Sequence, residues 1–439
     1  MSKFIIQGGK PLRGSVRLGG AKNASFKLMI ASLLCDSETR LLNIPDIGDV
    51  HFTKKIMERL GADVTDCGER IFCIKTKKVN SWKIPGEHGK ASRASVLFAP
   101  VLLSQFGKAE LPLPGGDKLG NRPIDRHIEA LKALGAIIKV DHQSISLTTS
   151  RLNGTHFKFP KNSHTGTEVM IMAAVKAKGR TVIENAAQEP EIDDLITYLN
   201  KCGARIKRTE PRIIEIDGVS SLEGSIHKIM PDRNEAVSYA CAALGSKGDI
   251  IIENANPKHL TSFLGKVREA GGFYDCADYG IRFWYQNPLK SIQVTTAPHP
   301  SFMSDWQPLW TTLMTQASGE STITESVFPN RFSFTNQLKE MGANILLFNP
   351  DISNPNDYYN FNLDDDKPGY FHAARVIGPT QLTSIHSSVS DIRNGATLVL
   401  AALIASGKSE IDNIELIDRG YENFDVRLRR LGADIIREK

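Results

Sequence analysis

Residues 57–64 read MERLGADV, a helical pattern that ends in glycine and passes into a strand-like run, and this pattern recurs along the chain. The recurrences are LKALGAII (131–138), LNKCGARI (199–206), VREAGGFY (267–274), LKEMGANI (338–345) and LRRLGADI (428–435). In each, the first glycine stands where a helix end favours a left-handed residue, at Gly61, Gly135, Gly203, Gly271, Gly342 and Gly432. The glycines are about 70 residues apart, except for a last interval of about 90. This period predicts a chain of repeated modules.

A second pattern alternates with the first: an alanine-rich apolar helix, a polar turn and a β-branched strand. It occurs at residues 24–45, 167–190, 234–257 and 394–416. Helices alternating with strands predict an α/β fold, here of six modules with three in each of two domains. Three modules per domain place a boundary near Met230, just before residues 231–233 (PDR). The loop-like composition of residues 349–370 predicts an insertion that explains the longer last interval.

Length, composition and charge narrow the function classes. The chain has 439 residues, which suits two domains, and a 41% apolar content, which is ample for their cores. A net charge of +5 is too small to indicate a nucleic-acid partner, although it allows a local site for a small anion. The N-terminal sequence has no export signal, and no apolar stretch is long enough to span a membrane. We therefore expect a cytoplasmic protein without a membrane partner.

The cysteines show no pattern typical of a metal site. No CxxC pair and no Cys/His cluster with ligand spacing occurs. The sequence predicts reduced, mostly buried thiols at Cys35, Cys67, Cys73, Cys202, Cys241 and Cys276.

Residues 113–128, LPGGDKLGNRPIDRHI, have neither helical nor strand periodicity and concentrate polar chemistry in one loop. Their glycines allow main-chain N–H groups to approach a ligand closely. Arg122 can bind an oxyanion through two hydrogen bonds, and Asp117 can donate or accept a proton. Taken alone, the loop has a simpler alternative, an exposed glycine turn with solvated charges.

Further polar residues stand at the starts of predicted helices. Lys22 and Asn23 follow two glycines, where free N–H groups and the helix dipole favour an anion. Other such positions are Arg93, the turn at His164, Thr165 and Gly166, and, in the C-terminal half, Asp305, Arg331, Asp391, Arg393, Asp418 and Arg419. Each has a structural alternative, because arginines often pair with surface acids and an Asp before a helix is often its N-cap.

The cations are more informative as a set than singly. Module symmetry would bring six of them to a common face: Lys22, Arg93, Arg122, Arg331, Arg393 and Arg419. Fixed cations that face a cleft are costly unless anions fill it. The predicted ligand therefore carries several phosphates or carboxylates.

The order of motifs along the whole chain resembles that of the enolpyruvyl transferases, and among them the members that act on UDP-N-acetylglucosamine. The matching motifs are GAKNA (20–24), RAS (93–95), LPGG with GxRPxDxHI (113–128), IENAAxEPEI (183–192), PDR (231–233), TAPHPxF (296–302), PNRF (329–332) and IDRGYE (417–422). Only the segment 349–370 interrupts the match.

The resemblance implies a fold and a reaction. The fold is a two-domain inside-out α/β barrel of six βαβαββ-type repeats, three per domain, with the active site between the domains. The first 21 residues would return to the domain that contains the C-terminus, so the implied domains are residues 22–230 and residues 1–21 plus 231–439. The reaction transfers the enolpyruvyl group of phosphoenolpyruvate to the 3-hydroxyl of UDP-N-acetylglucosamine and releases phosphate, without a metal or cofactor. The partners are then small molecules, and we expect a monomer.

The resemblance also assigns site residues by position. It implies catalytic roles for Asp117, Asp305, Lys22 and Arg419. Phosphoenolpyruvate would be bound by Lys22, Asn23, Arg122, Arg393 and Arg419. The nucleotide sugar would be bound by Asn23, Arg93, Arg122, Pro123, Ile124, Asp125, Arg126, His164, Thr165, Gly166, Asp305, Val327 and Arg331.

The chain departs from the family pattern at two of these positions. Most members carry cysteine where this chain has Asp117, and many carry a small hydroxyl residue where it has His164. The drug fosfomycin inactivates the family by alkylating that cysteine, so the resemblance implies insensitivity here. His164 implies altered nucleotide recognition.

Three alternatives stay open at this point. Enolpyruvyl could be transferred to shikimate 3-phosphate or to another nucleotide. The chain could also be an anion-binding relative that has lost catalysis, although Asp117, Asp305 and the cations argue against that reading.

Overall fold

The computed structural model describes residues 2–76, 79–84, 86, 93–113 and 124–438. The strands, in chain order, are β1 (Lys3–Gln7), β2 (Arg13–Arg17), β3 (Thr39–Leu42), β4 (Asp63–Asp66), β5 (Ile71–Lys75), β6 (Lys108–Pro112), β7 (Ile137–Val140), β8 (Ser144–Thr148), β9 (His156–Lys158), β10 (Arg180–Glu184), β11 (Arg205–Glu210), β12 (Ile213–Asp217), β13 (Ile226–Lys228), β14 (Asp249–Glu253), β15 (Phe273–Ala277), β16 (Gly280–Trp284), β17 (Gln293–Thr295), β18 (Gly319–Thr324), β19 (Asn344–Phe348), β20 (Ala373–Gly378), β21 (His386–Ser388), β22 (Lys408–Asp412) and β23 (Asp434–Glu438).

The α-helices of the same residues are α1 (Lys22–Ser32), α2 (Gly48–Arg59), α3 (Ala99–Phe106), α4 (Asp125–Ala133), α5 (His164–Ala174), α6 (Pro190–Lys201), α7 (Arg233–Gly245), α8 (Thr261–Glu269), α9 (Gln307–Met314), α10 (Thr335–Glu340), α11 (Pro355–Tyr358), α12 (Ile392–Ile404), α13 (Glu415–Asp418) and α14 (Phe424–Arg430). Short 3₁₀ helices lie at Arg93–Phe98, Pro257–His259 and Leu363–Asp365. The mixed α/β class that the sequence predicts is confirmed.

The chain forms two compact units. The first unit takes the described residues between 20 and 230, and the second takes those between 2 and 19 and between 231 and 438. The backbone at residue 21 belongs to the first unit because the Ala21 N–H donates to the Met230 carbonyl at 2.7 Å.

The described strands form six sheets of one topology. Five of them have four strands. In spatial order, the first strand pairs parallel with the second, and the second, third and fourth pair antiparallel in turn: β13-β3-β5-β4, β9-β10-β12-β11, β2-β14-β16-β15, β17-β18-β20-β19 and β21-β22-β1-β23. The sixth, β6-β8-β7, carries a single parallel bridge from Lys83 to Glu110 in place of the parallel strand.

Two parallel strands explain why one unit is discontinuous in sequence. β2 precedes the first unit in the chain but pairs with β14 of the second, with Arg13 opposite Asp249. β13 ends the first unit and pairs with β3 near its start, with Ile226 opposite Arg40. The chain therefore leaves each unit directly after a strand that completes one of its sheets.

The six repeated glycines end helices as the sequence predicts. Their φ angles all lie in the left-handed region, between +77° at Gly271 and +99° at Gly203. Residues with a Cβ atom resist these angles. The prediction of a helix end at each module is confirmed.

The core of each unit is built on helices that are buried on almost every face. In the second unit α7, α9 and α12 pack against one another, and all thirteen residues of α7 are buried. Their alanines and small polar residues allow close packing without an amphipathic stripe. The strands around them alternate buried and exposed residues, as in Asp249–Glu253.

The structure shows where the segment predicted to be an insertion, residues 349–370, lies among the strands. It lies between β19 and β20, where the corresponding hairpins β4–β5, β11–β12 and β15–β16 have short turns, and it holds α11 and a 3₁₀ helix. Its residues pack locally, because Asn349 Nδ2 donates to the Tyr370 carbonyl at 3.1 Å and the Asn360 N–H donates to the Ser326 carbonyl at 2.7 Å.

The prediction of six reduced, mostly buried thiols is wrong in part. Cys67, directly after β4, and Cys73, in the middle of β5, form a disulfide, because the tight turn brings these two strands side by side. Cys276 is an exposed thiol. In the described part of the chain, no helix has the length and apolar content to cross a membrane.

Candidate active site

In the second unit a carboxylate lies between two arginines. Asp305 precedes α9, and its Oδ1 lies 3.3 Å from Arg331 Nη2, while its Oδ2 lies 3.6 Å from Arg393 Nη2. The Arg331 side chain is 1% exposed and that of Asp305 is 28% exposed. Asp305 is not the N-cap of α9, a position that Trp306 takes. The carboxylate therefore has buried cationic partners and keeps partial access to solvent.

Arg393 is fixed by a tyrosine network. Its Nη1 donates to the Tyr421 hydroxyl at 3.1 Å, and that hydroxyl lies 2.8 Å from the Ser238 Oγ. Burial lowers the pKa of Arg393, but Tyr421, Asp305 and Asp232 outweigh it, and the net pKa lies above its ordinary value. Arg393 is thus a permanently charged group with a fixed orientation.

Glu325 organises the segment that carries Val327. Its Oε1 accepts the N–H groups of Val327 at 2.8 Å and Phe328 at 3.0 Å, and its Oε2 accepts the Ser304 hydroxyl at 2.9 Å. Burial raises the pKa of Glu325, against the charge of Arg331. One buried acid therefore ties the Val327 segment to the turn before Asp305.

Two acids that the sequence singled out have structural roles. Asp391 is the N-cap of α12 and accepts the N–H groups of Arg393 and Asn394. Asp418 forms two hydrogen bonds of 2.8 Å with Arg437. Arg419 follows at the end of α13 and is half-buried.

In the first unit Lys22 begins α1, as predicted. Its Nζ lies 2.9 Å from Asp49 Oδ2 and 5.7 Å from the centre of the Phe26 ring. Ala21 is at the N-cap and supplies no side-chain hydrogen bond to the helix start. Asn23 follows in the first turn and is half-buried.

The residues His164, Thr165 and Gly166 form the first turn of α5, and the prediction of a turn preceding the helix is wrong here. The helix starts earlier because the Ser163 Oγ accepts the Gly166 N–H at 3.1 Å as an N-cap. Thr165 Oγ1 lies 2.8 Å from His127 Nε2.

Helix α4 carries the described end of the loop motif. Ile124 precedes the helix, Asp125 begins it, and Arg126 Nη1 donates to the Asn162 carbonyl at 2.8 Å. The structure therefore brings Arg126 and the start of α5 together. Asp117, Arg122, Pro123 and the side chain of Arg93 lie outside the described residues.

Sequence reasoning missed the residues that hold the site residues in place. Asp49, Glu325 and Tyr421 contact Lys22, the Val327 segment and Arg393, respectively. Tyr421 stood within the IDRGYE motif, so the motif signalled it, whereas no local pattern marks Asp49 or Glu325. Among the residues that the structure describes, no group of His, Cys, Asp or Glu side chains could hold a metal ion.

Six α/β modules on buried helices form the fold of the enolpyruvyl transferase class. A solved structure of that class, the enolpyruvyl transferase NikO from Streptomyces tendae, matches 100% of this chain and 99% of its own with a TM-score of 0.85. EPSP synthase from Acinetobacter baumannii matches 100% of both chains with a TM-score of 0.72. At 22% and 17% identity, these likenesses establish the fold.

The chain belongs to the EPSP synthase family of enolpyruvyl transferases, because the family model described as EPSP synthase (3-phosphoshikimate 1-carboxyvinyltransferase) matches residues 6–428. It is 39% identical, over 100% of both chains, to the UDP-N-acetylglucosamine 1-carboxyvinyltransferase of Halothermothrix orenii. It is 38% identical to UDP-N-acetylglucosamine 1-carboxyvinyltransferase 3 of Caldanaerobacter subterraneus, over 100% of this chain and 99% of the relative.

Proposed function

We propose that this protein transfers the enolpyruvyl group of phosphoenolpyruvate to the 3-hydroxyl of UDP-N-acetylglucosamine and releases phosphate. The full-length similarity to relatives that bear the name of this activity supports the choice of acceptor. The structural observation that supports the chemistry is Asp305, a partly accessible carboxylate between the buried Arg331 and the largely buried Arg393.

In the proposed reaction the sugar oxygen attacks carbon 2 of phosphoenolpyruvate. The hydroxyl proton passes to Asp305, the C–O bond forms, and carbon 3 gains a proton from an acid. In the tetrahedral ketal, carbon 3 then returns a proton to the conjugate base of that acid, the double bond between carbons 2 and 3 forms, and the bond from carbon 2 to the phosphate oxygen breaks to release phosphate. Fixed cations align the reactants and compensate the charges that develop.

The second unit contributes Asp305 as the base, because a base needs a carboxylate within hydrogen-bond reach of the hydroxyl. Arg331 and Val327 would bind the nucleotide sugar, and Arg393 and Arg419 would bind phosphoenolpyruvate. The hydrogen bonds of Arg393 and Glu325 support these roles, since they fix the groups before substrate arrives.

The first unit contributes two groups of residues. Lys22, Asn23 and Arg122 would bind phosphoenolpyruvate. The remaining assigned residues would bind the nucleotide sugar: Arg93, Pro123, Ile124, Asp125, Arg126, His164, Thr165 and Gly166. The contacts of Arg126 and Thr165 at the start of α5 support this second set.

Asp117 is the proposed acid for carbon 3. An aspartic acid donates a proton efficiently near neutral pH only if its pKa rises from about 3.9 by roughly 3 units, which corresponds to about 4 kcal/mol. Since a carboxylate is a poorer nucleophile toward an epoxide than a thiolate, we also propose that the enzyme is insensitive to fosfomycin. Asp117→Cys should then keep activity and gain sensitivity.

Phosphate release by the purified protein tests both parts of the proposal. UDP-N-acetylglucosamine and shikimate 3-phosphate serve as acceptors, each with and without fosfomycin. Release that needs the UDP-sugar and persists with the drug is the expected result. Release only with shikimate 3-phosphate would overturn the acceptor, and a mass adduct on the peptide that contains Asp117 would overturn drug insensitivity.

The proposal extends to the setting of the reaction. The product would enter peptidoglycan synthesis as its first committed intermediate, so the enzyme would serve cell-wall formation, cell shape and division. We further propose a cytoplasmic monomer in which the two units, divided after residue 19 and after residue 230, are the two domains of an inside-out α/β barrel. The buried helices in each unit support this architecture.

A further inference from the structure

An ion pair is buried between two helices of the first unit. Lys27 of α1 and Glu168 of α5 lie 2.6 Å apart, from Nζ to Oε1, and their side chains are 2% and 0% exposed. A buried ion pair is weak evidence of a stabilising role, since well-packed apolar residues of similar volume are often as stable. Stability alone therefore does not explain the pair, and the residues that it contacts indicate its role.

The pair contacts His164, one of the residues assigned to the nucleotide sugar. The Nε2 atom of His164 lies 3.2 Å from Lys27 Nζ and 3.2 Å from Glu168 Oε1. Glu168 is one helical turn after His164, so both side chains lie on one face of α5. The His164 side chain is 20% exposed, which leaves part of the imidazole accessible.

Charged groups surround the imidazole from three helices. They are Lys27 on α1, Glu168 on α5 and Glu189, which is the N-cap residue of α6. The neighbouring α4 presents His127 to Thr165, and Arg126 to the Asn162 carbonyl. Burial and Lys27 lower the pKa of His164, but Glu168 and Glu189 outweigh them, and the net pKa is above its ordinary value.

These contacts determine whether Nδ1, the other ring nitrogen of His164, carries a proton. An ammonium has no acceptor, so Lys27 donates to Nε2 of a neutral His164, and the ring proton is then on Nδ1. When His164 is protonated, both ring nitrogens carry a proton, and Nε2 lies 3.2 Å from Glu168 Oε1. Nδ1 is thus a donor in both states, as long as the Lys27–Glu168 pair is present.

We propose that Lys27 and Glu168 are positioning residues that hold His164 with its Nδ1–H toward the nucleotide, as a donor to an acceptor oxygen of the UDP-sugar. The inference rests on the proposed function and adds a recognition element to it. The acceptor is either a phosphate oxygen or a uracil carbonyl, which the pH dependence distinguishes. A cationic His164 attracts a phosphate more strongly than its neutral form, whereas a carbonyl accepts from both.

Steady-state kinetics of His164→Ala test the contact itself. The KM for UDP-N-acetylglucosamine should rise about 10-fold or more, the loss expected for one hydrogen bond to a charged or well-oriented group, while kcat stays within about 3-fold. A wild-type KM that rises as pH increases from 6 to 9 identifies the phosphate, and a flat KM identifies the carbonyl. His156→Ala, an exposed histidine paired with Glu184 in the same unit, is the matched control. Equal KM values in His164→Ala and wild type overturn the proposal.

The pair needs its own variants, because removal of one charge alone can prevent folding. The double variant Lys27→Met/Glu168→Leu keeps the buried volume without charge, and Lys27→Arg keeps the donor. The double variant should show the raised KM of His164→Ala, and Lys27→Arg should retain a near wild-type KM. A double variant with wild-type KM and a normal melting temperature overturns the positioning role.

A measurement without turnover separates this inference from the proposed function. In ¹⁵N-histidine spectra, with His164→Ala for assignment, the neutral ring of His164 should be the Nδ1–H tautomer, and UDP alone should shift its Nδ1 signal. An Nε2–H tautomer, or no shift at saturating UDP, overturns the inference even if the wild type releases phosphate with the UDP-sugar. A shift by UDP with no phosphate release overturns the proposed activity and leaves the recognition role standing.

Discussion

Replacing Asp305 by Asn tests the proposed base most directly. The amide has nearly the shape of the carboxylate but cannot take the proton of the sugar hydroxyl. It also lacks the charge that faces Arg331 and Arg393 at 3.3 and 3.6 Å. The substitution therefore removes two things, the basicity of one group and the compensation of two cations.

The two losses have different sizes. General base catalysis contributes about 10²- to 10⁴-fold, which at about 1.36 kcal/mol per factor of ten is roughly 3 to 5 kcal/mol of barrier. Hydrogen bonds to charged groups contribute about 1.5–3 kcal/mol to stability. Because Asp305 is partly exposed and both distances are long, we expect the low end of that range. The variant should remain folded and lose most of its activity.

The assay is phosphate release at saturating phosphoenolpyruvate and UDP-N-acetylglucosamine, alongside a thermal melt. Both kcat and kcat/KM should fall about equally, because a base acts only in the transition state. Asp249→Asn is the control, since Asp249 also pairs with an arginine of the second unit, Arg282 at 2.8 and 2.6 Å, but at the surface. It should change kcat by less than about 2-fold and stability by less than about 1 kcal/mol.

The reasoning fails if Asp305→Asn keeps kcat within about 3-fold of wild type. It also fails if activity falls only as far as the folded fraction falls, since the effect would then be structural. A raised KM for the UDP-sugar at unchanged kcat would reassign Asp305 from base to binding residue.

Three further predictions concern the fold. Gly271→Ala should destabilise the protein by about 1–2 kcal/mol because the φ angle of Gly271 is +77°, whereas Gly265→Ala, inside α8 of the same module, should stabilise it by about 0.5–1 kcal/mol. A Cβ meets nothing within 4 Å at either site, so equal melting temperatures of the two variants would contradict the assignment of the helix end. The hydrogen bond from Arg282 lowers the pKa of Asp249, so the stability that this pair contributes is present above an unfolded pKa of about 3.9 and is lost as pH falls through the folded pKa. The difference in melting temperature between wild type and Asp249→Asn should therefore shrink from pH 7 to pH 3, and a constant difference would refute this prediction. Because Cys67 and Cys73 form a disulfide, a thiol reagent should react with four cysteines in the denatured, unreduced protein and with two more after reduction. Six reactive thiols without reductant would contradict the disulfide.

The candidate site could be predicted from the sequence only in part. Lys22 at a helix start and Arg393 behind an N-cap Asp are local patterns, and the structure places both as expected. The partners of these residues are distant in sequence, so no local pattern indicates that Asp49 faces Lys22 or that Tyr421 faces Arg393. The turn predicted before a helix at residues 164–166 is instead the first turn of α5, because Ser163, an ordinary N-cap residue, directly precedes it.

The sequence by itself determined the α/β class, the six modules with their glycine helix ends, the position of the insertion and the family resemblance. These properties depend on periodicity and on residues close together in the chain, which propensity and backbone geometry constrain directly. Only the tertiary structure decided that β2 and β13 complete sheets far from them in sequence, that Cys67 and Cys73 are bonded, and that Lys27 and Glu168 enclose His164. The reason is that such contacts depend on how the chain returns on itself, and burial then decides which of its polar groups must be paired.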